Sequence, residues 1–196
     1  MTAKETPWGV WDHLPLEVVV DLFRDFSMPW WVAGGYAIDA FAGSGRREHD
    51  DIDVSLFASD STLVRQHLSA WDLHAADPPG TLRPWPRDEV LLPHVHDIWA
   101  RGSARDAWRF QVMLNPGGPE YFVCRRDERI RLPMSEATWE KDGVRYLAPE
   151  LQLLFKAKGR RPKDERDFED CSPLLSVGQR GRLASWLEMT APGHPW

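Results

Sequence analysis

The sequence has few cysteines, no long apolar run and no excess of positive charge. Its 196 residues include two cysteines, Cys124 and Cys171, which match neither a disulfide framework nor the spacing of a metal site. No apolar stretch approaches the roughly 20 residues of a membrane-spanning helix, and the N-terminal residues contain no apolar signal segment. These absences predict a cytoplasmic protein without a membrane partner.

Charge narrows the class of partner further. The chain carries 30 acidic and 24 basic side chains, for a formal net charge of −6. Proteins that bind a nucleic-acid duplex usually have a basic excess, so the balance argues against such a partner, although a local basic cleft is compatible with it. The length suits one domain, or a small core with a helical appendage. The 11 tryptophans are an unusually high number, and we expect most of them in the core or in cleft walls.

Apolar periodicity predicts an α/β segment first, then β hairpins, then helices. A helix from Pro15 to Phe26 precedes a buried strand at Trp30–Ala33, a glycine break and a short helix at 36–41. The polar loop Gly43–Glu48 then leads into a strand at 51–57, where apolar residues alternate. Later patterns predict a helix capped by Asp60-Ser61, a strand at 71–74 and an irregular loop at 77–93. Extended segments are expected at 94–101, 108–115 and 120–124, with hairpins at Gly117-Gly118 and Asp142-Gly143. Helices are expected after Pro149, after Pro162 and from Gln179 to Met189.

The predicted fold is therefore α+β with an α/β-type core, in which a mixed sheet is flanked by helices. We expect residues 1–148 to form the core. Residues 149–196 are expected to form a helical part that packs on the core and does not fold independently.

Two short motifs carry the chemistry. Gly34-Gly35 follows a predicted strand and opens a helix, a junction that lets the backbone approach phosphate groups. Asp51 and Asp53 stand two residues apart on a predicted strand, so both side chains are expected on one face. Two adjacent carboxylates repel each other, and Mg²⁺ relieves that repulsion while also binding substrate phosphates. Either motif alone is usually structural, but together and in this order they predict metal-assisted nucleotidyl transfer.

At these residues the sequence resembles a known family. The segments Trp31–Ala40 and Arg47–Asp53 are similar to the aminoglycoside 2''-adenylyltransferase and lincosamide nucleotidyltransferase group of the polymerase-β-like superfamily. The likeness is strong over 30–57, weaker over 146–150 and 156–168, and loose between them.

The resemblance implies a nucleotidyltransferase fold with ATP or another NTP as co-substrate and two Mg²⁺ ions. It implies transfer of a nucleoside monophosphate to a hydroxyl group, with Asp51 and Asp53 as metal ligands. Gly34 and Gly35 would line the triphosphate. Many superfamily members have serine where Gly35 stands, so one hydroxyl contact to phosphate is missing here.

Two neighbours of the acidic pair have separate interpretations. On a regular strand Asp50 would point away from Asp51 and bind N–H groups of the preceding loop. His49 would share the Asp51 face at the edge of the site. A hydrogen-bonding role that shapes the loop is favoured over a role as general base.

The superfamily normally supplies a third carboxylate from a neighbouring strand, and the expected position holds Gln111. Glutamine can ligate a cation through its carbonyl oxygen but cannot accept a proton at neutral pH. Asp97 on the preceding strand is one substitute for the base. The sequence leaves open three other residues as the base, namely His96, Glu120 and Asp127, and also a phosphate oxygen or a metal-bound water. A slow or inactive protein is a further alternative.

Basic and aromatic side chains suggest where phosphate and acceptor bind. Lys156 and Lys158 on the first C-terminal helix are candidates to neutralise β- and γ-phosphates, with a solvated helix end as the alternative. Arg125-Arg126 is a second basic candidate, either for phosphate or for bracing the sheet. An aminoglycoside acceptor would need exposed carboxylates, and a sugar ring would stack on tryptophan. Candidates are the acids Asp88, Glu89, Asp97 and Glu120 and the rings Trp85, Trp99 and Trp108.

These features predict a small hydroxylated acceptor, such as an aminoglycoside-like antibiotic. Two alternatives remain at this stage. One is a toxin-like or regulatory enzyme that modifies tRNA or protein, and the other is a nucleotide-binding homologue impaired by Gln111. The sequence does not determine the oligomeric state.

Overall fold

A computed structural model provides the structure of the chain and describes residues 4–43 and 48–196. The predicted polar loop Gly43–Glu48 therefore lies largely outside the described residues, as do the first three residues. The strands are β1 Lys4–Thr6, β2 Gly9–Trp11, β3 Trp30–Ala33, β4 Asp53–Phe57, β5 Asp72–Ala75, β6 Arg83–Pro84, β7 Asp97–Arg101, β8 Phe110–Asn115, β9 Tyr121–Val123, β10 Arg131–Pro133, β11 Thr138–Lys141 and β12 Val144–Leu147. The α-helices are α1 Leu16–Phe23, α2 Gly34–Ala42, α3 Ser61–His67, α4 Met134–Ala137, α5 Pro149–Ala157, α6 Pro162–Cys171 and α7 Val177–Thr190.

Eight of these strands form one mixed sheet in the order β11-β12-β3-β4-β8-β7-β5-β6. The pairs β12/β3 and β4/β8 are parallel, and the other neighbours are antiparallel. Strand β7 and the first five residues of β8 alternate between buried and half-buried side chains, whereas in β4 only Asp53 is half-buried and the four residues after it are buried.

Helices cover the two faces of the sheet with two separate apolar clusters. On one face, Val19 and Phe23 of α1 and Val64 of α3 pack with Val54 and Val112 of the sheet. On the other face, α5, α7 and the segment around β9 and β10 pack against the β3 end of the sheet. That second cluster includes Trp31, Phe57, Phe122, Leu151, Leu154, Leu183 and Trp186.

The helical C-terminal segment therefore shares an apolar cluster with the sheet. This packing supports the predicted association of 149–196 with 1–148, while the division into these two parts stays a prediction. Within residues 4–43 and 48–196, no helix combines the length and apolar character that a bilayer crossing requires.

The predicted mixed sheet with flanking helices is confirmed, and one hairpin prediction is wrong. Asp142-Gly143 does join the antiparallel strands β11 and β12, because both residues adopt the positive φ angles that a two-residue turn needs. Gly117-Gly118 does not join a β8–β9 ladder. Strand β9 pairs instead with β10, since the chain turns away from the sheet after Asn115 and only a single bridge, Gly117 to Phe122, remains.

Candidate active site

Strand β3 runs directly into helix α2 at Gly34, which places the backbone against the first residue of β4. Gly34 has a φ of +68°, a conformation that favours glycine. A Cβ at this position would overlap Oδ2 of Asp53 and lie 3.0 Å from its Cγ. The N–H of Gly34 donates to Oε1 of Gln152 at 2.8 Å. The junction thus requires glycine for two independent reasons, and α5 holds it in place.

The carboxyl group of Asp53 titrates far above its ordinary range. Burial and, after it, the negative charge of Asp51 raise the pKa of Asp53 to about 7. The positive charges of Lys156 and Arg125 oppose that shift. Asp51 and Asp53 therefore interact strongly enough to disfavour two negative charges, which is the situation that a divalent cation relieves.

Asp51 lies outside strand β4, contrary to the sequence-based expectation. The strand begins at Asp53, so regular alternation does not place the two carboxylates together. The chain segment that enters the strand brings Asp51 near Asp53 instead. Asp50 in the same segment accepts hydrogen bonds from Lys4 at 2.7 Å and from Lys163 at 3.2 Å. The loop N–H donors predicted for Asp50 fall mostly on residues outside the described part.

His49 links the acidic segment to helix α2. Its Nε2 donates to Oδ2 of Asp39 at 2.7 Å, and its ring lies 4.6 Å from that of Tyr36. Its carbonyl oxygen lies 3.0 Å from Nε2 of His13. These contacts fix the backbone two residues before Asp51, which fits a role in shaping the loop better than one as a general base.

Gln111 lies beside Asp53 in the sheet, on the strand that the sequence analysis proposed for the third ligand. The parallel β4–β8 ladder pairs the two residues directly. The amide nitrogen of Gln111 lies 3.2 Å from the sulfur of Met113. The structure therefore places a neutral amide, which has no proton-accepting capacity, directly beside Asp53.

Asp97 opens β7 on the same face of the sheet. It pairs in register with Met113, and its charge contributes to the raised pKa of Asp53, behind burial, Asp51 and Lys156 in size. Its Oδ1 lies 3.3 Å from Nη1 of Arg125. Of the other substitutes considered, Glu120 is exposed and Asp127 forms an ion pair with Arg129 in its own turn. Asp97 thus lies on the same sheet face as Asp53, close enough for its charge to affect the pKa of Asp53.

Lys156 and Lys158 have different surroundings. Lys156 is buried, and its Nζ lies 2.7 Å from Asp167 and 3.5 Å from Asp164 on α6. Lys158 is exposed and lines a cavity of about 570 Å³ together with Arg125 and other residues near the ends of α5 and α7. The structure does not bring these two lysines together, and Lys156 is already neutralised by α6.

The described residues contain no group of three or more His, Cys, Asp or Glu side chains arranged as a metal cage. Mg²⁺ commonly binds one or two protein carboxylates and takes its remaining oxygens from substrate phosphates and water. The pair Asp51 and Asp53 fits that pattern, because a bound cation would offset the repulsion that raises the pKa of Asp53.

Known proteins resemble this chain in sequence and in fold. A lincosamide resistance protein from Staphylococcus haemolyticus is 36% identical over 163 residues, which cover 81% of this chain and 91% of that protein. The chain belongs to the antibiotic nucleotidyltransferase family. The sequence profile of the aminoglycoside-2''-adenylyltransferase family also matches residues 15–77, the part that contains Gly34, Asp51 and Asp53.

Two solved structures share the fold of this nucleotidyltransferase. The lincosamide antibiotic adenylyltransferase LnuA with lincomycin bound has a TM-score of 0.58 at 16% identity, over 84% of this chain and all of the other. The enzyme ANT(2'')-Ia in complex with adenylyl-2''-tobramycin has a TM-score of 0.56 at 14% identity, over 90% of this chain and 97% of the other. At these identities the structures support the fold alone.

The half-buried side chains of Asp53, Gln111 and Trp99 are in register across three strands, and we call the sheet face that they share the open sheet face. Trp99 is half-buried, whereas Trp85 and Trp108, the other two rings considered for sugar stacking, are 2% exposed and unavailable. Among the acids considered for an aminoglycoside, Glu89 forms an ion pair with Arg83. The tertiary structure therefore reduces the three aromatic candidates to one.

Several interactions of the nucleotidyltransferase were not foreseen from the sequence. Gln152 binds the Gly34 N–H, Asp39 binds His49, and Asp167 binds Lys156. The first and third involve helices α5 and α6, which are more than 100 residues distant from the glycine junction. The only signal was the weak family likeness over 146–168, which marked the region without pairing its residues.

Proposed function

We propose that this nucleotidyltransferase transfers AMP from ATP to a hydroxyl group of a lincosamide-type antibiotic, in a reaction that requires Mg²⁺. The observation that carries the proposal is the carboxylate pair Asp51 and Asp53 set against the glycine junction at Gly34. The identity of 36% to a lincosamide resistance protein supports the acceptor class. The match of residues 15–77 to the aminoglycoside-2''-adenylyltransferase family supports ATP as the donor.

Asp51 and Asp53 would hold the metal, and the rest of its oxygen ligands would come from the nucleotide and water. Bound there, Mg²⁺ would stabilise the charge that develops on the α-phosphate and on the leaving pyrophosphate. Gln111 faces the same region as a neutral neighbour of Asp53. We assign it to orienting the site through its amide rather than to proton transfer.

We propose that the triphosphate binds at the start of α2. The N–H of Gly34 is already bound to Gln152, so we assign the phosphate contact there to Gly35 and to the close backbone approach that Gly34 permits. The positive charge of Lys156 lowers the pKa of Asp53, and an ion pair with Asp167 of α6 holds the lysine in place. We therefore propose that Lys156 offsets part of the negative charge of Asp51 and Asp53. Lys158, which is exposed, remains our candidate for direct contact with phosphate.

We assign the general base to Asp97. Its carboxylate would accept the proton of the acceptor hydroxyl as that oxygen bonds to the α-phosphorus. The bond between the α-phosphorus and the bridging oxygen breaks at the same time, and pyrophosphate leaves with its electron pair. Arg125, at 3.3 Å from Asp97, holds the carboxylate in position. His49, tied to Asp39, positions the segment that carries Asp51.

The base assignment predicts different results for two substitutions. Asp97→Asn keeps the shape and removes the proton acceptor, so kcat should fall by about 10²- to 10⁴-fold while the Kd for ATP stays within a few-fold of wild type. Gln111→Glu should change kcat by less than tenfold if Asp97 is the base. Steady-state kinetics and equilibrium ATP binding measure both. A large gain from Gln111→Glu in an almost inactive wild type would instead favour the impaired homologue.

The charges around the open sheet face support a lincosamide over an aminoglycoside. Three carboxylates border this face, and each is matched by an arginine: Asp12 by Arg109, Asp72 by Arg101 and Asp97 by Arg125. A polycationic aminoglycoside would need unmatched carboxylates there. An aminoglycoside acceptor remains the second candidate, because the profile of that family matches residues 15–77.

The proposal is tested by pyrophosphate release. The protein is incubated with Mg²⁺ and ATP, GTP, CTP or UTP, and with lincomycin, clindamycin, tobramycin or no acceptor, and adenylylated product is sought by mass spectrometry. We expect release with ATP and a lincosamide. Parallel reactions with labelled ATP and total RNA or protein test the macromolecular alternative. Failure of every acceptor, together with no ATP binding, would exclude the proposed function.

A further inference from the structure

Trp99 is held rigidly by the rings around it. Its ring centroid lies 4.8 Å from that of Trp11, 5.5 Å from that of Trp108 and 5.9 Å from that of Trp8. All three contacts are edge-to-face, with interplanar angles between 70° and 86°. Such contacts orient an aromatic ring more narrowly than aliphatic packing does.

The N-terminal hairpin supplies two of these rings and is itself fastened to the sheet. The backbone N–H of Trp108 donates to the carbonyl of Val10, and that of Asp12 donates to the carbonyl of Trp108. The indole N–H of Trp108 donates to the carbonyl of Trp8 at 2.8 Å. Trp99 therefore rests in a fixed aromatic frame built from β1–β2, β7 and the residues before β8.

The position of Trp99 relates this frame to the reaction centre. Trp99 pairs in register with Gln111, which pairs with Asp53. Neighbouring strands lie about 4.8 Å apart, so Trp99 is about 10 Å from Asp53 across the sheet face. Asp97 lies two residues earlier on the same strand and the same face. An acceptor whose hydroxyl is held at Asp97 would therefore have its adjoining ring close to Trp99.

The surroundings of the ring carry little net charge. Arg101 stacks over Trp108 with 4.3 Å between its Cζ and the ring centroid, and it forms an ion pair with Asp72. His74 packs edge-on against Trp108, and burial lowers the pKa of His74, so it is neutral at physiological pH. A rigid, half-buried aromatic ring in neutral surroundings suits the apolar face of a saturated ring rather than a cationic group.

We propose that Trp99 is a specificity-determining residue, a stacking platform for the apolar face of the ring that carries or adjoins the reacting hydroxyl. The proposal rests on the proposed function, since it concerns the acceptor of that reaction. Trp8 and Trp11 are positioning residues that orient the platform. The preferred acceptors are glycosides with a hydrophobic ring face and few positive charges.

The test separates acceptor binding from chemistry by steady-state kinetics with lincomycin and ATP varied in turn. Trp99→Leu keeps an apolar side chain within the aromatic frame but removes the flat face, and Trp99→Phe keeps a smaller flat face. We expect Trp99→Leu to raise the KM for lincomycin about tenfold, with kcat and the KM for ATP within about twofold of wild type. Trp99→Phe should recover most of the loss.

A matched control comes from the opposite edge of the sheet. Trp139 on β11 is also a half-buried tryptophan in contact with other rings, and Trp139→Leu should leave all three kinetic constants within about twofold of wild type. The stacking proposal would be overturned if Trp99→Leu left the KM for lincomycin unchanged. It would also be overturned if the variant lowered kcat and raised the KM for ATP as much as it raised the KM for lincomycin. An inactive wild type would instead count against the proposed function.

Discussion

Asp53→Asn is expected to abolish nucleotidyl transfer and, in the absence of metal, to stabilise the protein. The substitution removes one of the two carboxylates proposed to hold Mg²⁺, and loss of several kcal/mol of charge stabilisation corresponds to a rate loss of roughly 10³-fold or more. Pyrophosphate release with ATP and a lincosamide measures that loss. Added Mg²⁺ and ATP should raise the Tm of wild type and have little effect on the variant.

The stability change follows from the raised pKa of Asp53. Its folded-state pKa is about 7, against an unfolded value of 3.8, so the folded state binds the proton more tightly. The carboxyl group therefore lowers the free energy of unfolding progressively as pH rises from about 4 to about 7, and the full cost is present above that window. Asparagine carries no charge, so the gain should be small at pH 5 and largest at pH 8. After allowance for solvent screening we expect about 1 to 2 kcal/mol, or roughly 3 to 6 °C in Tm.

Asp50→Asn is the matched control, since Asp50 lies in the same segment. The hydrogen bond from Lys4 lowers the pKa of Asp50, so its carboxylate favours the folded state above its unfolded pKa. The control variant should lose a little stability at pH 8 and retain activity within a few-fold of wild type. An active Asp53→Asn, or one whose Tm falls at pH 8, would contradict the assignment of Asp53.

Gly34→Ala is expected to disable the protein through geometry rather than charge. An alanine at a φ of +68° is strained, and its Cβ would overlap the carboxylate of Asp53. The Asp53 side chain or the α2 junction must shift, which should lower the free energy of unfolding by about 2 kcal/mol or more and kcat by about 100-fold or more. Thermal unfolding and kinetics on the folded fraction measure the two effects separately.

Two further variants identify the cause of that loss. Gly178→Ala makes the same chemical change where a Cβ meets no atom within 4 Å, and it should leave activity unchanged and stability equal or slightly higher. Asp53→Ala combined with Gly34→Ala removes the carboxylate that the new methyl group would meet. The double variant should be more stable than the sum of the two single changes predicts. Simple additivity would mean that the backbone strain alone explains the effect.

Local sequence signals predicted the strands that form and flank the candidate site. The apolar run before Gly34, the alternation after Asp53 and the turn residues Asp142-Gly143 each depend on neighbouring residues, so β3, β4 and the β11–β12 hairpin were found. The same local alternation predicted the strand that carries Gln111, and the structure showed that this residue pairs with Asp53. The hairpin expected at Gly117-Gly118 failed because glycine permits a turn without specifying which strand pairs afterwards.

Long-range packing decided the rest of the site. Sequence alone determined that a glycine junction and an acidic pair lie next to each other, and a family resemblance gave them a reaction. Only the tertiary structure brought Gln152 to the Gly34 N–H, buried Lys156 against α6 and left Trp99 open while covering Trp85 and Trp108. Gly34 and Gln152 are 118 residues apart, and no local periodicity encodes which helix or hairpin covers which face. The proposed triphosphate site could therefore be predicted from the sequence, whereas the proposed base and acceptor surface depend on how the sheet is covered.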